Sequence, residues 1–241
     1  MEKLFSEKEM YVMAHTAKGK PTFIKEPHKG NPMYKYDNMH LSDGMEMVEY
    51  HGLEIPLLKP YTGTTELDYQ PYSLWKKLNG EGQAVHFFMN DNEFRTAVWN
   101  KLEQTTYNLR KFDVLLTPDF SMYVDLMSFY GLLAVFMTRF VGAYWQKCGY
   151  NVIPTASWSN ADSFKFAFVG LPQNSVIAVC GVGVSWSPAA VELWQMGLLE
   201  LEKQVRPIEI IIYGSDKLEL PKLHTPVNFI IDNITKNYRN D

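Results

Sequence analysis

The sequence predicts an α/β protein, a single domain in which short parallel strands alternate with helices. Three observations carry this prediction: brief apolar runs, helical segments between them, and the lack of a linker or internal repeat between residues 53 and 231. Because strand–helix–strand connections are right-handed, about seven such units predict a (β/α) barrel-like fold, complete or incomplete. An open, doubly wound parallel sheet is the alternative.

Seven apolar runs are predicted as strands. Each is brief and apolar on both faces, as strands covered by helices on both sides must be. The runs are LEIPLL (53–58), VHFFM (85–89), DVLLT (113–117), NVIPTA (151–156), SVIAVC (175–180), IEIII (208–212) and VNFII (227–231).

Five helices are predicted between these strands. Glu93 follows Asn90 at the spacing of a capping box, Gly149 suits a helix C-terminus, and Ser187 precedes a first-turn proline. Alternating phenylalanines make a strand the rival interpretation of the fourth segment. The segments are 71–79, one opening at Asn90, about 123–147, about 160–168, and one from Ser187 to just before Pro207.

Residues 1–50 show no sustained hydrophobic period. They are predicted to form an irregular N-terminal arm that packs on the body, and residues 51–241 to form the α/β domain. The N-terminus carries acids and no apolar core, so no signal peptide is expected. Cys148 and Cys180 lie in apolar context outside any CxxC pair, which predicts buried, reduced thiols and a cytoplasmic location.

Charge and hydropathy exclude two classes of partner. The net charge of −4 over 241 residues leaves no chain-wide basic face for duplex nucleic acid. Lys18–Lys35 is a local basic stretch, interpreted first as a solvated loop and second as a phosphate-contacting arm. Residues 126–145 contain one charge, Arg139, away from either edge, which favours a buried helix over a membrane span.

Polar residues at the carboxyl ends of the strands form the candidate site, because loops converge there in both architectures. In TPDFS (117–121), Pro118 ends the strand and presents Asp119, which Asp91 could join in general acid–base work. The alternatives are structural: Asp119 as a turn residue, Asp91 and Ser121 as helix caps. The ligand-binding candidates are Ser121, Ser157, Trp158 and Tyr213.

Motifs for common cofactors are broken or missing from the sequence. Gly181 and Gly183 follow a strand, but Trp186 stands where a dinucleotide fingerprint needs its third glycine. The six histidines form no HxH or HxxxH pair, so no metal site is predicted and the cofactor is left open.

Three segments carry a resemblance to a known family: TPDFSMYVD (117–125), GAYWQKCGYNVIPTASWS (142–159) and SFKFAFVGLPQNSVIAVCGVG (163–183). Their order and spacing resemble the domain-of-unknown-function family DUF4417 of bacteria and phages, over about residues 85–185. The resemblance implies a phage, plasmid or mobile-element protein of the bacterial cytoplasm, and it carries no activity. The helix after PDFS is more apolar here than in that family.

Two functions from different classes fit these observations. One is a small-ligand or catalytic pocket around Asp119 and Trp158, for a nucleotide-like or sugar-like ligand, with no reaction assigned. The other is a non-catalytic interaction protein that binds a host protein. The helix near 123–147 is apolar around most of its circumference, which predicts a homodimer through Leu133, Phe136 or their neighbours.

Overall fold

The computed structural model describes residues 12–15, 21–24 and 35–231. The chain forms two compact units, Met1–Asp43 and Gly44–Asp241. In the first, β1 (Val12–His15) and β2 (Pro21–Ile24) pair antiparallel, with Val12 opposite Ile24. Most of Lys18–Lys35 lies outside the described residues, so the predicted phosphate-contacting arm stays a prediction.

A second antiparallel hairpin opens the larger unit. β3 (Met47–Tyr50) and β4 (Leu53–Pro56) are joined by His51 and Gly52, whose φ angles of 48° and 80° are both positive. Two positive φ angles give a two-residue turn that matches the twist of the strands. The predicted parallel strand at 53–58 is therefore wrong, and residues 1–50 are not irregular throughout, since they contain β1, β2 and β3.

Among the described residues, eight further strands form two four-stranded parallel sheets, which confirms the α/β class. One sheet has the order β5-β6-β7-β8 and the other β9-β10-β11-β12. Among the described strands, no sheet closes into a barrel. The strands are β5 (Asp68–Pro71), β6 (Gln83–His86), β7 (Val114–Leu116), β8 (Asn151–Ile153), β9 (Thr155–Ala156), β10 (Val176–Cys180), β11 (Glu209–Gly214) and β12 (Val227–Ile231).

The two sheets meet at Pro154, which splits the predicted strand 151–156 because proline has no N–H for the ladder. The side chains of Thr117 and Thr155 supply hydrogen bonds at this break in the ladder. The Thr155 N–H donates to Thr117 Oγ1 at 2.8 Å, and the two threonine hydroxyls lie 2.7 Å apart. On the other side, the Ala178 N–H donates to the Pro154 carbonyl at 2.8 Å. These bonds hold together the end of β7, the start of β9 and the middle of β10.

In the described part of the larger unit, the helices that connect the strands are α1 (Asp91–Val98), α2 (Leu102–Asn108), α3 (Ser128–Lys147) and α4 (Pro188–Val205). Short 3₁₀ helices cover Tyr72–Lys77, Ala161–Lys165 and Val184–Trp186. The predicted helix at 71–79 is thus one 3₁₀ segment after β5, and the fourth predicted segment is helical rather than a strand.

The predicted helix ends were right in two cases and wrong in two. The Ser187 side chain accepts the Ala190 N–H at 3.1 Å with Pro188 in the first turn, and Gly149 has a φ of 91° after α3. The side chain of Asn90 makes no capping bond, so the capping box is wrong. The helix α3 begins at Ser128 rather than near residue 123.

The inner strands β10 and β11 bury both faces, as their apolar composition predicts. Ala178 and Ile211 point into a cluster that both sheets share, whereas their neighbours Ile177 and Ile212 pack under Leu198 of α4. This alternation places one apolar layer between the sheets and another beneath the helices.

The helix α3 is buried over its C-terminal two thirds, from Ala134 to Trp145. Within residues 35–231, and in the two short strands before them, no helix combines the length and the hydropathy that a bilayer span needs. The expectation of two buried thiols is wrong, because Cys148 is exposed after the end of α3 and Cys180 is half-buried.

Candidate functional site

A cleft of about 730 Å³ lies beyond the carboxyl ends of β6, β7, β9, β10 and β11. Its lining is mostly apolar and aromatic, with a few polar groups among them, which is the usual make-up of a small-molecule site. The aromatic and carboxylate side chains that line it are Phe88, Glu93, Asp119, Trp158, Trp194 and Tyr213.

Five of the six residues selected from the sequence line this cleft, namely Asp119, Ser121, Ser157, Trp158 and Tyr213. They come from the ends of three strands, β7, β9 and β11, and the sheet topology alone brings them together. Asp91 does not line the cleft, although its charge acts on Asp119 from close by.

Asp119 carries an unsatisfied acceptor. Its Oδ1 is buried and has no hydrogen-bond partner among the described residues. Burial raises the pKa of Asp119 from 3.8 to about 6; a hydrogen bond from Ser157 lowers it, the negative charge of Asp91 raises it, and the positive charge of Arg139 lowers it. A carboxyl group with a pKa near 6 can both accept and release a proton close to neutral pH.

Arg139 lies behind the cleft, fully buried in α3. Its Nε donates to the carbonyl of Val169 at 3.0 Å, its Nη1 to that of Thr155 at 3.0 Å, and its Nη2 to that of Ala167 at 2.9 Å. Burial lowers the pKa of Arg139 to about 9, and the charge of Asp119 raises it. The guanidinium therefore fixes β9 and the segment after the 3₁₀ helix at 161–165, and it supplies a positive charge near Asp119.

Asp91 has a structural role at the edge of the site. Its Oδ1 accepts the Ser121 N–H at 3.1 Å and the Ser121 hydroxyl at 2.8 Å, and its Oδ2 pairs with Arg95 at 3.4 Å. These contacts tie the first turn of α1 to the TPDFS loop. Ser121 thus holds the loop in place instead of capping α3, which begins seven residues later.

Trp158 forms a wall of the cleft against α4. A Cβ atom on Gly197 would lie 2.0 Å from Cε2 of the indole, so only glycine allows the ring to pack this closely on the helix. The ring centroids of Trp158 and Phe168 are 5.9 Å apart, and Trp194 Nε1 donates to the Cys180 carbonyl at 3.0 Å. Contacts within the protein therefore fix the positions of both tryptophans.

Sequence reasoning missed Glu93, Phe88 and Trp194 as lining residues. Glu93 was assigned to a capping box, and since that box does not form, its exposed carboxylate borders the cleft instead. Phe88 follows β6 and stacks on Tyr213 with ring centroids 5.3 Å apart. The predicted strand 85–89 contained Phe88, so its place beyond the end of β6 could not be read from the sequence. Trp194 could not be told from a helix core residue.

Metal binding finds no support in the geometry. In the part of the chain that the structure describes, no three His, Cys, Asp or Glu side chains lie close enough together to hold an ion. The prediction of no metal site rested on the sequence alone, and it stays a prediction.

The profile of the family described as domain of unknown function (DUF4417) matches residues 46–229. The chain belongs to the DUF4417 family. The match covers the larger unit from β3 to β12 and contains every residue that lines the cleft. The resemblance predicted over residues 85–185 is confirmed and is longer than the motifs indicated.

Two curated phage proteins are similar to this DUF4417 chain. The gene 1 protein of Mycobacterium phage L5 is 37% identical over 146 residues, which are 59% of this chain and 63% of that protein. The gene 1 protein of Mycobacterium phage D29 is 32% identical over 201 residues, 78% of this chain and 71% of that protein. The chain thus spans less than two thirds of the L5 protein's length. No solved structure matches it.

Proposed function

We propose that the cleft is a small-ligand or catalytic pocket in which Asp119 receives a hydrogen bond from the ligand. The observation that carries this proposal is the buried Asp119 Oδ1, which lacks a hydrogen-bond partner among the described residues. A buried acceptor without a partner costs about 1–3 kcal/mol. A ligand N–H or O–H group recovers that free energy, so the empty acceptor favours binding.

The lining supports a ligand with a ring, nucleotide-like or sugar-like. Trp158 is half-buried at the cleft and offers a ring against which a base can stack or a sugar can pack. The volume of about 730 Å³ lies in the range of pockets that hold small molecules. Ser121 and Ser157 add hydroxyl groups that can donate or accept hydrogen bonds beside Asp119.

Asp91 assists Asp119 from outside the cleft in this proposal. Its carboxylate raises the pKa of Asp119 and holds Ser121 through two hydrogen bonds. If the pocket is catalytic, Asp119 is the residue that exchanges a proton with the ligand, and Asp91 positions and tunes it.

The test is ligand binding by Asp119→Asn. Nucleosides and monosaccharides are screened against the wild-type protein by thermal shift at pH 7.5, and compounds that bind are measured by calorimetry. We expect Asp119→Asn to weaken binding 10- to 100-fold, since hydrogen bonds to charged groups contribute about 1.5–3 kcal/mol.

The matched control is Asp162→Asn, the same chemical change at an exposed aspartate paired only with Lys165. Its affinity should equal that of the wild type. Two results contradict the proposal: no compound of either class binds, or Asp119→Asn binds as tightly as the wild type.

A barrel-like architecture for the two sheets is a further part of the proposal. The shared apolar cluster draws side chains from both sheets, including Leu116, Ile153 and Ile211. A second cleft of about 630 Å³ lies between β5 and β12, the two outermost strands. This arrangement supports an incomplete barrel of about seven strand positions, open between β5 and β12.

A homodimer also stays a proposal. Its expected contact shifts from the middle of α3 to residues near the start of that helix. Leu133 and Phe136 are half-buried, so they offer less surface than expected. Exposed apolar residues lie just before them instead, and Met127 and Phe129 are 71% and 65% exposed. The exposed apolar segment is Tyr123, Val124, Leu126, Met127, Phe129 and Tyr130. It supports either self-association or the alternative function, contact with a host protein.

Light scattering at micromolar concentration tests the homodimer. We expect a mass near twice 27.9 kDa for the wild type and a shift to 27.9 kDa for Phe129→Glu, because a charge in an apolar contact is costly. A wild-type mass of 27.9 kDa contradicts self-association and leaves the exposed segment to a host protein or to the N-terminal arm.

The phage relatives support an origin in a phage or mobile element, with the protein acting in the cytoplasm of the bacterial host. The name that both relatives share, gene 1 protein, states no activity that could be proposed for this chain.

A further inference from the structure

We propose that the ligand of this cleft carries hydrogen-bond donors and no phosphate, and that Glu93 at the cleft wall is a second acceptor beside Asp119. The inference rests on the proposed function and narrows its ligand from nucleotide-like or sugar-like compounds to unphosphorylated ones. It follows from the charges of the side chains that line the cleft and from the contacts that the nearby arginines make elsewhere.

The charged side chains that line the cleft are both acidic. Asp119 and Glu93 border it, and no lysine, arginine or histidine is found among its described lining residues. A phosphate group brought into such a cleft meets two carboxyl groups and no cationic side chain among the described lining residues. Like charges repel, and the repulsion is stronger in a cleft partly shielded from water than in bulk solvent.

The nearby cations are committed elsewhere. All three donating nitrogens of Arg139 are bonded to the carbonyls of Thr155, Ala167 and Val169, behind the cleft. Arg95 pairs with Asp91 at 3.4 Å and lies over the Phe120 ring at 5.6 Å. Neither arginine lines the cleft, and Arg139 is almost fully buried behind it, so neither guanidinium is placed to bind a phosphate there.

The local charges then leave one carboxylate in excess. The positive charge of Arg139 lies near Asp119, and that of Arg95 is paired with Asp91. Among these described groups at the cleft, the negative charge of Glu93 is the one left without a cation. No ion pair or side-chain hydrogen bond of Glu93 is found in the described part of the chain, and its side chain is exposed at the cleft. A neutral or positively charged donor satisfies both Glu93 and the buried Oδ1 of Asp119, whereas an anion satisfies neither.

The test compares compounds that differ only in a phosphate. Guanosine with guanosine 5′-monophosphate, and glucose with glucose 6-phosphate, are titrated into the wild-type protein by calorimetry. We expect the unphosphorylated member of the pair that binds to have at least tenfold higher affinity. In Glu93→Lys the ratio should fall to about threefold or less, because the substitution replaces an anion with a cation at the cleft.

Glu81→Lys is the matched control, since Glu81 is exposed and precedes β6 at the opposite end of the sheet. It makes the same change in net charge and should keep the wild-type ratio. The inference is overturned if the phosphorylated compound binds equally well or better, as it would through backbone N–H groups, or if Glu93→Lys leaves the ratio unchanged. If no compound binds, or if Asp119→Asn binds as tightly as the wild type, the proposed function fails as well. These results differ from those that overturn only the inference about phosphate, so the two failures are distinguishable.

Discussion

Replacing the buried Arg139 with methionine is expected to lower the free energy of unfolding by about 3–5 kcal/mol, the range seen when one partner of a buried charged network is removed. The substitution leaves the carbonyls of Thr155, Ala167 and Val169 without their donor. It also removes the positive charge near Asp119, so the pKa of Asp119 should rise further. Urea unfolding followed by circular dichroism measures the effect.

Two further variants make this prediction specific to the buried guanidinium. In Arg139→Lys a single ammonium cannot span three carbonyls, so most of the loss should remain. In Arg110→Met, an exposed arginine that donates to the Tyr107 carbonyl is lost, and the change should stay within about 1 kcal/mol. An Arg139→Met protein as stable as the wild type would show that the network contributes little.

Replacing Asp119 with asparagine is expected to stabilise the fold at pH 7.5 by up to about 3 kcal/mol while it weakens ligand binding. Burial raises the pKa of Asp119 from 3.8 to about 6, and each pKa unit corresponds to about 1.4 kcal/mol. The ionised carboxyl is therefore less favourable in the folded state than in the unfolded chain. Such a gain in stability at the expense of binding is common at functional sites.

The difference in the free energy of unfolding between Asp119→Asn and the wild type should depend on pH. An acid whose folded-state pKa is raised contributes its full stability below pH 3.8 and loses it as the pH rises through about 6. Asparagine does not titrate, so the two proteins should be equally stable below about pH 4 and diverge up to about pH 7. Denaturant unfolding at several pH values checks this window. Asp162→Asn is the control, and a constant difference across the range contradicts the raised pKa.

The sequence predicted the parallel strands better than the elements around them. Runs such as SVIAVC and VNFII are apolar on both faces, and they pair as expected in β10 and β12. LEIPLL has the same composition, yet it forms half of a hairpin, because the His51-Gly52 turn determines its partner. The start of α3 was misplaced because the apolar residues 123–127 fit a helix as well as an exposed loop.

The candidate site was predictable where backbone chemistry singled out a residue. Pro118 ended a strand and left Asp119 beyond its carboxyl end, so position alone indicated a site. The role of Asp91 was not predictable, since its bonds to Ser121 depend on how α1 meets the TPDFS loop. The part played by Arg139 was also hidden, because its three carbonyl partners lie 16 to 30 residues away along the chain.

The most direct test of the central claim is a crystal structure of the protein with the tightest-binding compound from the screen. We expect a ligand N–H or O–H group about 2.5–3.2 Å from Asp119 Oδ1, with the ligand's ring against Trp158. A compound bound outside the cleft, or one that leaves Oδ1 without a ligand contact, would contradict the claim that Asp119 is the acceptor around which this site is built.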